Sequence, residues 1–95
     1  MSPNYPEHYP SNHDSTQTIE VAEGKRIIFV FSSFITEPEY DWVRIEDEDG
    51  TILLSKTWGS SAPGTIISKS NIIHVKFHTD DSRQRTGWRM DWTEV

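Results

Sequence analysis

The stretch NIIHVKFH at 71–78 sets Ile73, Val75 and Phe77 on one side of an extended chain and Ile72, His74 and Lys76 on the other. That two-residue period is the signature of a strand with one buried face, because successive side chains of a strand point to opposite faces. The same rule recurs along the chain. Gln17, Ile19 and Val21 alternate in QTIEVAEG, Ile27, Phe29 and Phe31 in KRIIFVFSSF, Val43 and Ile45 in DWVRIED, and Trp88, Met90 and Trp92 in GWRMDW. No segment keeps a helical period over a dozen residues. Turn residues separate the runs: AEGK between the first two, Asp49-Gly50 before TILLS, and WGSSAPG before TIISKS. The fold class is therefore all-β: two antiparallel sheets, about eight strands, packed face to face so that the alternating sets share one core. QTIEVA and RIIFVF are expected to pair through their tight connection, and Asp49-Gly50 to turn a hairpin.

A chain of 95 residues has the size of one domain, spanning 1–95, with no room for a second core. Its net charge of −6 argues against a nucleic-acid partner, since phosphate binding requires clustered Lys and Arg. Cationic partners suit it better. The longest apolar run, IIFVF at 27–31, is strand-sized and far short of a membrane span. With no cysteine there is neither a disulfide nor a thiolate metal site, so packing must supply the stability. No basic and apolar leader precedes Ser2.

Catalytic signatures are absent from the sequence. GSSAPG at 59–64 lacks the spacing of a serine nucleophile elbow, there is no HExxH, and no glycine-rich phosphate loop opens a helix, so the chain is expected not to be an enzyme. EDEDG does not fit an EF-hand. With Gly50 at loop position six, positions one and twelve would be Ile45 and Lys56, neither of them a calcium ligand. Glu46, Asp47, Glu48 and Asp49 are instead expected at a solvated hairpin tip, where their mutual repulsion is weak. The acids Glu37, Glu39 and Asp41 differ from these. They flank a short strand-to-strand connection, and a second acidic loop, HTDDS at 78–82, follows the strand carrying Phe77. Carboxylates converging from two loops either hold a cation or remain ordinary surface acids, and spacing alone leaves both open.

SPNYPEHYP at 2–10 resembles the SPNYPxxYP pattern near the start of CUB domains, the extracellular β-sandwich modules of complement proteases, tolloid-like metalloproteases and spermadhesins. IIFVFSSFITE, YDWVRIED, WGSSAPGTIISKSN and FHTDDSRQRTGWRMDW are similar, in the same order, to further motifs of that family. The resemblance covers essentially the whole chain and implies a jelly-roll sandwich. The departures are specific. Ser15 and Trp58 stand where the family has cysteines, the loop between Glu37 and Tyr40 is shortened, and the family's first one or two strands precede the point where this sequence starts.

The resemblance further implies a calcium ion held by Glu37, Asp41 and Asp80, with the main-chain carbonyl near Ser82 as a further ligand and Tyr5 orienting one carboxylate. It implies a non-catalytic protein-recognition module of a secreted or cell-surface multidomain protein, possibly a protease whose machinery lies elsewhere. Tyr5, Glu37, Glu39 and Asp41 would then receive a Lys or Arg side chain of the partner. Two other readings stay open: a carbohydrate-binding module using Tyr40, Trp42 or Trp58 as stacking platforms, and a calcium-free structural spacer.

Overall fold

A computed structural model of the chain describes residues 1–37, 40–80 and 85–95. Its strands are β1 (Asp14–Glu20), β2 (Ile27–Ile35), β3 (Trp42–Asp47), β4 (Ile52–Thr57), β5 (Ile66–Ile67), β6 (Ile72–His78) and β7 (Gly87–Glu94). One antiparallel sheet has the order β1-β6-β3-β4 and the other β5-β2-β7. The chain is all-β, a two-sheet sandwich of seven strands among the described residues. Every connection except that between β3 and β4 crosses from one sheet to the other. β1 and β2 therefore do not pair with each other, contrary to the expectation from their tight connection. β1 runs antiparallel to β6, while β2 pairs with β7 and β5. A short connection can bridge two layers as readily as it can turn a hairpin, and burying Ile19 and Ile27 against opposite sheets favours the bridge.

The alternation read from the sequence lines the core. Ile27, Phe29 and Phe31 of β2, Val43 and Ile45 of β3, Ile73, Val75 and Phe77 of β6, and Trp88 and Met90 of β7 are all buried, joined by Tyr9 and Phe34. Phe34 breaks the parity of β2 and still points inward, because the β2–β7 register shifts between Phe31 and Ser33. A bulge of this kind inserts one residue and re-aims the side chains beyond it. Trp92, expected beside Trp88 and Met90, is 48% exposed at the end of β7.

The acids at the β3–β4 turn divide. Gly50 turns the chain with φ of 89°, as expected. Asp47, however, is buried rather than solvated. It continues the inward parity of Val43 and Ile45, and its carboxylate accepts hydrogen bonds from Glu48 N (3.0 Å), Lys69 N (2.7 Å) and Ser70 Oγ. Burial alone would raise its pKa. The donors outweigh that and hold the carboxyl below its usual value. Asp47 thus ties the end of β3 to the segment leading into β6.

Candidate metal centre

β3 and β6 pair with Trp42 opposite His78. The residues just before Trp42 and just after His78 must therefore leave adjacent strands side by side, which brings Asp41 to Asp80. The Asp80 N–H donates to Asp41 Oδ1 at 2.8 Å. Glu37 reaches the same end of the sandwich from the opposite sheet, two residues beyond β2. The Asp41 N–H donates to the Glu37 carbonyl at 3.2 Å, which holds these two residues together, and both are buried. Carboxylate oxygens of Glu37, Asp41 and Asp80 lie within 4.8 Å of one another. Glu37 is 3% exposed, Asp41 is fully buried and Asp80 is half-buried.

The phenol that organises this cluster belongs to Tyr9. Its hydroxyl donates to Asp41 Oδ2 at 2.5 Å and accepts from Glu37 N at 3.1 Å. Tyr9 is itself fixed by a bond from its N–H to the Arg85 carbonyl (3.0 Å) and by edge-to-face contact with Phe77 at 5.1 Å. This corrects the expectation for Tyr5, whose role in orienting a carboxylate falls to the second tyrosine of the same SPNYPEHYP motif. The signal for Tyr9 was in the sequence, since both tyrosines precede a proline in the repeated YP pattern. Only the fold shows which one turns inward. Glu39 and Ser82, also named from the sequence, lie outside the described residues.

The cluster concentrates negative charge in a largely buried setting. Desolvation raises the pKa of Asp41. The hydrogen bonds from Tyr9 and Asp80 N pull it down, the Asp80 charge pushes it up, and the net shift is upward. Burial and the Asp41 carboxylate likewise push the Tyr9 phenol well above its usual value. Three carboxylates this close, two of them buried, repel one another in a medium that screens poorly. The donor set is hard oxygen throughout. Ligand distances of about 2.3–2.6 Å to calcium permit oxygens up to roughly 5 Å apart, so the observed spread fits such an ion.

The aromatic residues named as possible platforms separate. Trp42 is half-buried, stacked on His78 at 5.3 Å with 27° between the rings, and has Lys56 Nζ 4.6 Å from its centroid. Tyr40 and Trp58 are exposed.

A family model described as "CUB domain" matches residues 1–92. The chain belongs to the CUB domain family. Among relatives, tolloid-like protein 2 of Mus musculus is 30% identical over 95 residues, which take in 94% of this chain and 9% of that protein. The chain thus spans about a tenth of the length of such CUB-containing relatives. The human MASP-1/3 CUB1-EGF-CUB2 structure superposes with a TM-score of 0.90 at 31% identity, covering 99% of this chain and 37% of that one. The MASP-1 CUB2 domain, solved bound to Ca2+, superposes with a TM-score of 0.86 at 30% identity, covering 96% of this chain and 86% of that one. This CUB domain lacks cysteine, and no helix among its described residues is long and apolar enough to cross a membrane.

Proposed function

We propose that this CUB domain is a non-catalytic, calcium-dependent recognition module of a larger secreted or cell-surface protein. Glu37, Asp41 and Asp80 would hold the ion, with the Ser82 carbonyl as a further ligand. The observation that carries the reading is the convergence of these three carboxylates to within 4.8 Å with two of them buried. A similar CUB domain solved with Ca2+ supports it. Bound calcium supplies positive charge that neutralises the cluster and fixes the loops bearing it. The chain's own part is to hold Glu37 and Asp41 together through the Asp41 N–H bond to the Glu37 carbonyl, to orient Asp41 through Tyr9, and to bring Asp80 alongside through the β3–β6 register.

With the ion bound, the partner-binding residues named from the sequence, Tyr5, Glu37, Glu39 and Asp41, would accept a Lys or Arg side chain of a protein partner. Such a contact is strengthened by partial burial and weakened by salt. The deciding measurement is a calcium titration by calorimetry on the parent and on Asp41→Asn and Asp80→Asn, with magnesium as control. Saturable calcium binding lost in both variants is expected, and a parent that binds no calcium would overturn the reading. Partner association should then weaken as salt rises from about 0.05 to 0.5 M, because screening shortens from roughly 14 Å to 4 Å.

A further inference from the structure

Residues 2–13 belong to neither sheet, yet hydrogen bonds hold them against both. At one end the Ser2 N–H donates to the Trp88 carbonyl at 2.8 Å, and the Trp88 N–H donates to Ser2 Oγ at 2.9 Å. At the other end the segment meets Thr79, the first residue beyond β6, which is 1% exposed. The Thr79 hydroxyl accepts the His13 N–H at 2.8 Å and donates to the Pro10 carbonyl at 2.8 Å, while the Thr79 N–H donates to the His13 carbonyl at 2.8 Å. One buried hydroxyl thus clasps the segment both at the residue after Tyr9 and at the residue before β1. Asp80 continues the contact. Its carbonyl accepts the Asn12 N–H at 2.7 Å, and its own N–H donates to Asp41 Oδ1 at 2.8 Å. These bonds close a ring. Each oxygen of the Asp41 carboxylate takes a donor, the Tyr9 hydroxyl from the segment and the Asp80 N–H from the end of β6, and Asn12 joins those two halves behind the carboxylate.

We infer that Thr79 is a positioning residue for the cluster of Glu37, Asp41 and Asp80, and that docking of residues 2–13 and binding of calcium form one linked equilibrium. The inference rests on the calcium-dependent reading above and adds what regulates that site. Thr79 acts through its neighbours. Its hydroxyl fixes Pro10, and with it the reach of the Tyr9 phenol to Asp41, while its backbone leads directly into Asp80. When the segment lifts away, Asp41 loses the Tyr9 donor and the Asp80 main chain loses Asn12, so the carboxylates are no longer held at a separation that suits one ion. The converse follows from linkage. An ion that binds the docked arrangement alone stabilises docking by the same free energy that docking adds to its affinity. The segment is the part able to open, because it has no strand ladder and elements with few backbone bonds open at lower free energy than core strands. The Thr79 hydroxyl is its sensitive point, since removing it leaves the His13 N–H and the Pro10 carbonyl without that partner at once.

The test measures calcium affinity by calorimetry and amide hydrogen exchange on the 95-residue chain, for the parent, Thr79→Val, Thr79→Ser and Asp47→Asn. Valine keeps the shape of threonine without the hydroxyl, serine restores the hydroxyl, and Asp47, at the opposite end of β3 from Trp42, controls for lost stability alone. Thr79→Val should raise the calcium dissociation constant about tenfold, as when a group orienting a metal ligand is lost. Thr79→Ser and Asp47→Asn should bind as the parent does. With a dissociation constant of about 0.1–1 mM, about 2 mM calcium should slow exchange of the parent's Asn12 and His13 amides roughly three- to twentyfold, because the segment opens only after the ion leaves. The Gly50 amide, bonded to the Asp47 carbonyl at the β3–β4 turn, should be unmoved. Parental calcium affinity in Thr79→Val, or an equal loss in Asp47→Asn, would overturn the positioning role. Asn12 and His13 amides that exchange alike in calcium and in EDTA, in a parent that binds calcium, would overturn the linkage and leave the calcium-dependent reading standing. A parent that binds no calcium would overturn both. If Thr79→Val does not fold, exchange in the parent decides by itself.

Discussion

The Tyr9 hydroxyl donates to Asp41 Oδ2 at 2.5 Å across 32 residues of sequence, and the phenol oxygen of Tyr9 in turn accepts the Glu37 N–H at 3.1 Å. One phenol therefore fixes a carboxylate and the backbone of its partner Glu37. Replacing Tyr9 with Phe leaves a buried acceptor and a buried donor unsatisfied, which costs about 1–3 kcal/mol. Tyr9→Phe should melt several degrees lower than the parent in EDTA. Its calcium dissociation constant by calorimetry should rise about tenfold or more, as is usual when a group orienting a metal ligand is lost. An unchanged calcium affinity would show that Tyr9 serves packing alone.

Calcium itself should stabilise the fold. Extracellular modules commonly bind it with dissociation constants of about 0.1–1 mM. At about 2 mM calcium the linkage gain is then roughly 0.6–1.8 kcal/mol, a shift of several degrees for a domain of this size. Asp41→Asn and Asp80→Asn should melt at the same temperature with and without calcium. Magnesium should leave the parent unmoved.

Gly87 offers a remote test of how the N-terminal segment is held. Its φ is 88°, and an added Cβ would overlap Ser2 Oγ and lie 2.9 Å from Ser2 Cβ and 3.1 Å from Tyr9 Cδ2. Ser2 Oγ and N also bond to the Trp88 backbone, docking the segment on β7. Gly87→Ala should therefore destabilise the domain by about 1–3 kcal/mol from backbone strain alone. Amide exchange should show the bond from Tyr9 N to the Arg85 carbonyl opening faster than in the parent.

Asp47 contributes stability that acid removes. Its carboxyl titrates below the usual 3.8, so its contribution is fully present above that value and is lost as pH falls through the lower folded one. Asp47→Asn should cost about 1–3 kcal/mol at pH 7, because donors now face a poorer acceptor. Its stability should also fall less steeply than the parent's below pH 3.8. The calcium shift in melting temperature should keep its size, because Asp47 is not among the clustered acids.

Phe29 is 1% exposed at the centre of the β2 face. Phe29→Ala should lower stability by about 3–5 kcal/mol in denaturant titrations. A midpoint matching the parent's would contradict the inward register of β2.

The sequence by itself determined the strands and their buried faces. Alternation at Ile27, Phe29 and Phe31, at Val43 and Ile45, and at Ile73, Val75 and Phe77 leaves an extended chain only one way to hide its apolar side. That local rule requires no partner to be known. It also marked Glu37, Asp41 and Asp80 as residues of interest, through the family motifs they sit in. Pairing was another matter. Which sheet receives β1, whether Asp47 is wet or buried, and that Phe34 turns inward after a bulge all depend on cross-strand register, which is a property of two segments at once. The centre shows the same division. Tyr5 and Tyr9 are alike in sequence, and only the docking of residues 2–13 against β6 and β7 brings Tyr9 onto Asp41. Three carboxylates drawn from two sheets meet because the β3–β6 register and the bond from Asp41 N to the Glu37 carbonyl place them there, and no spacing along the chain encodes a distance between atoms that approach from opposite layers.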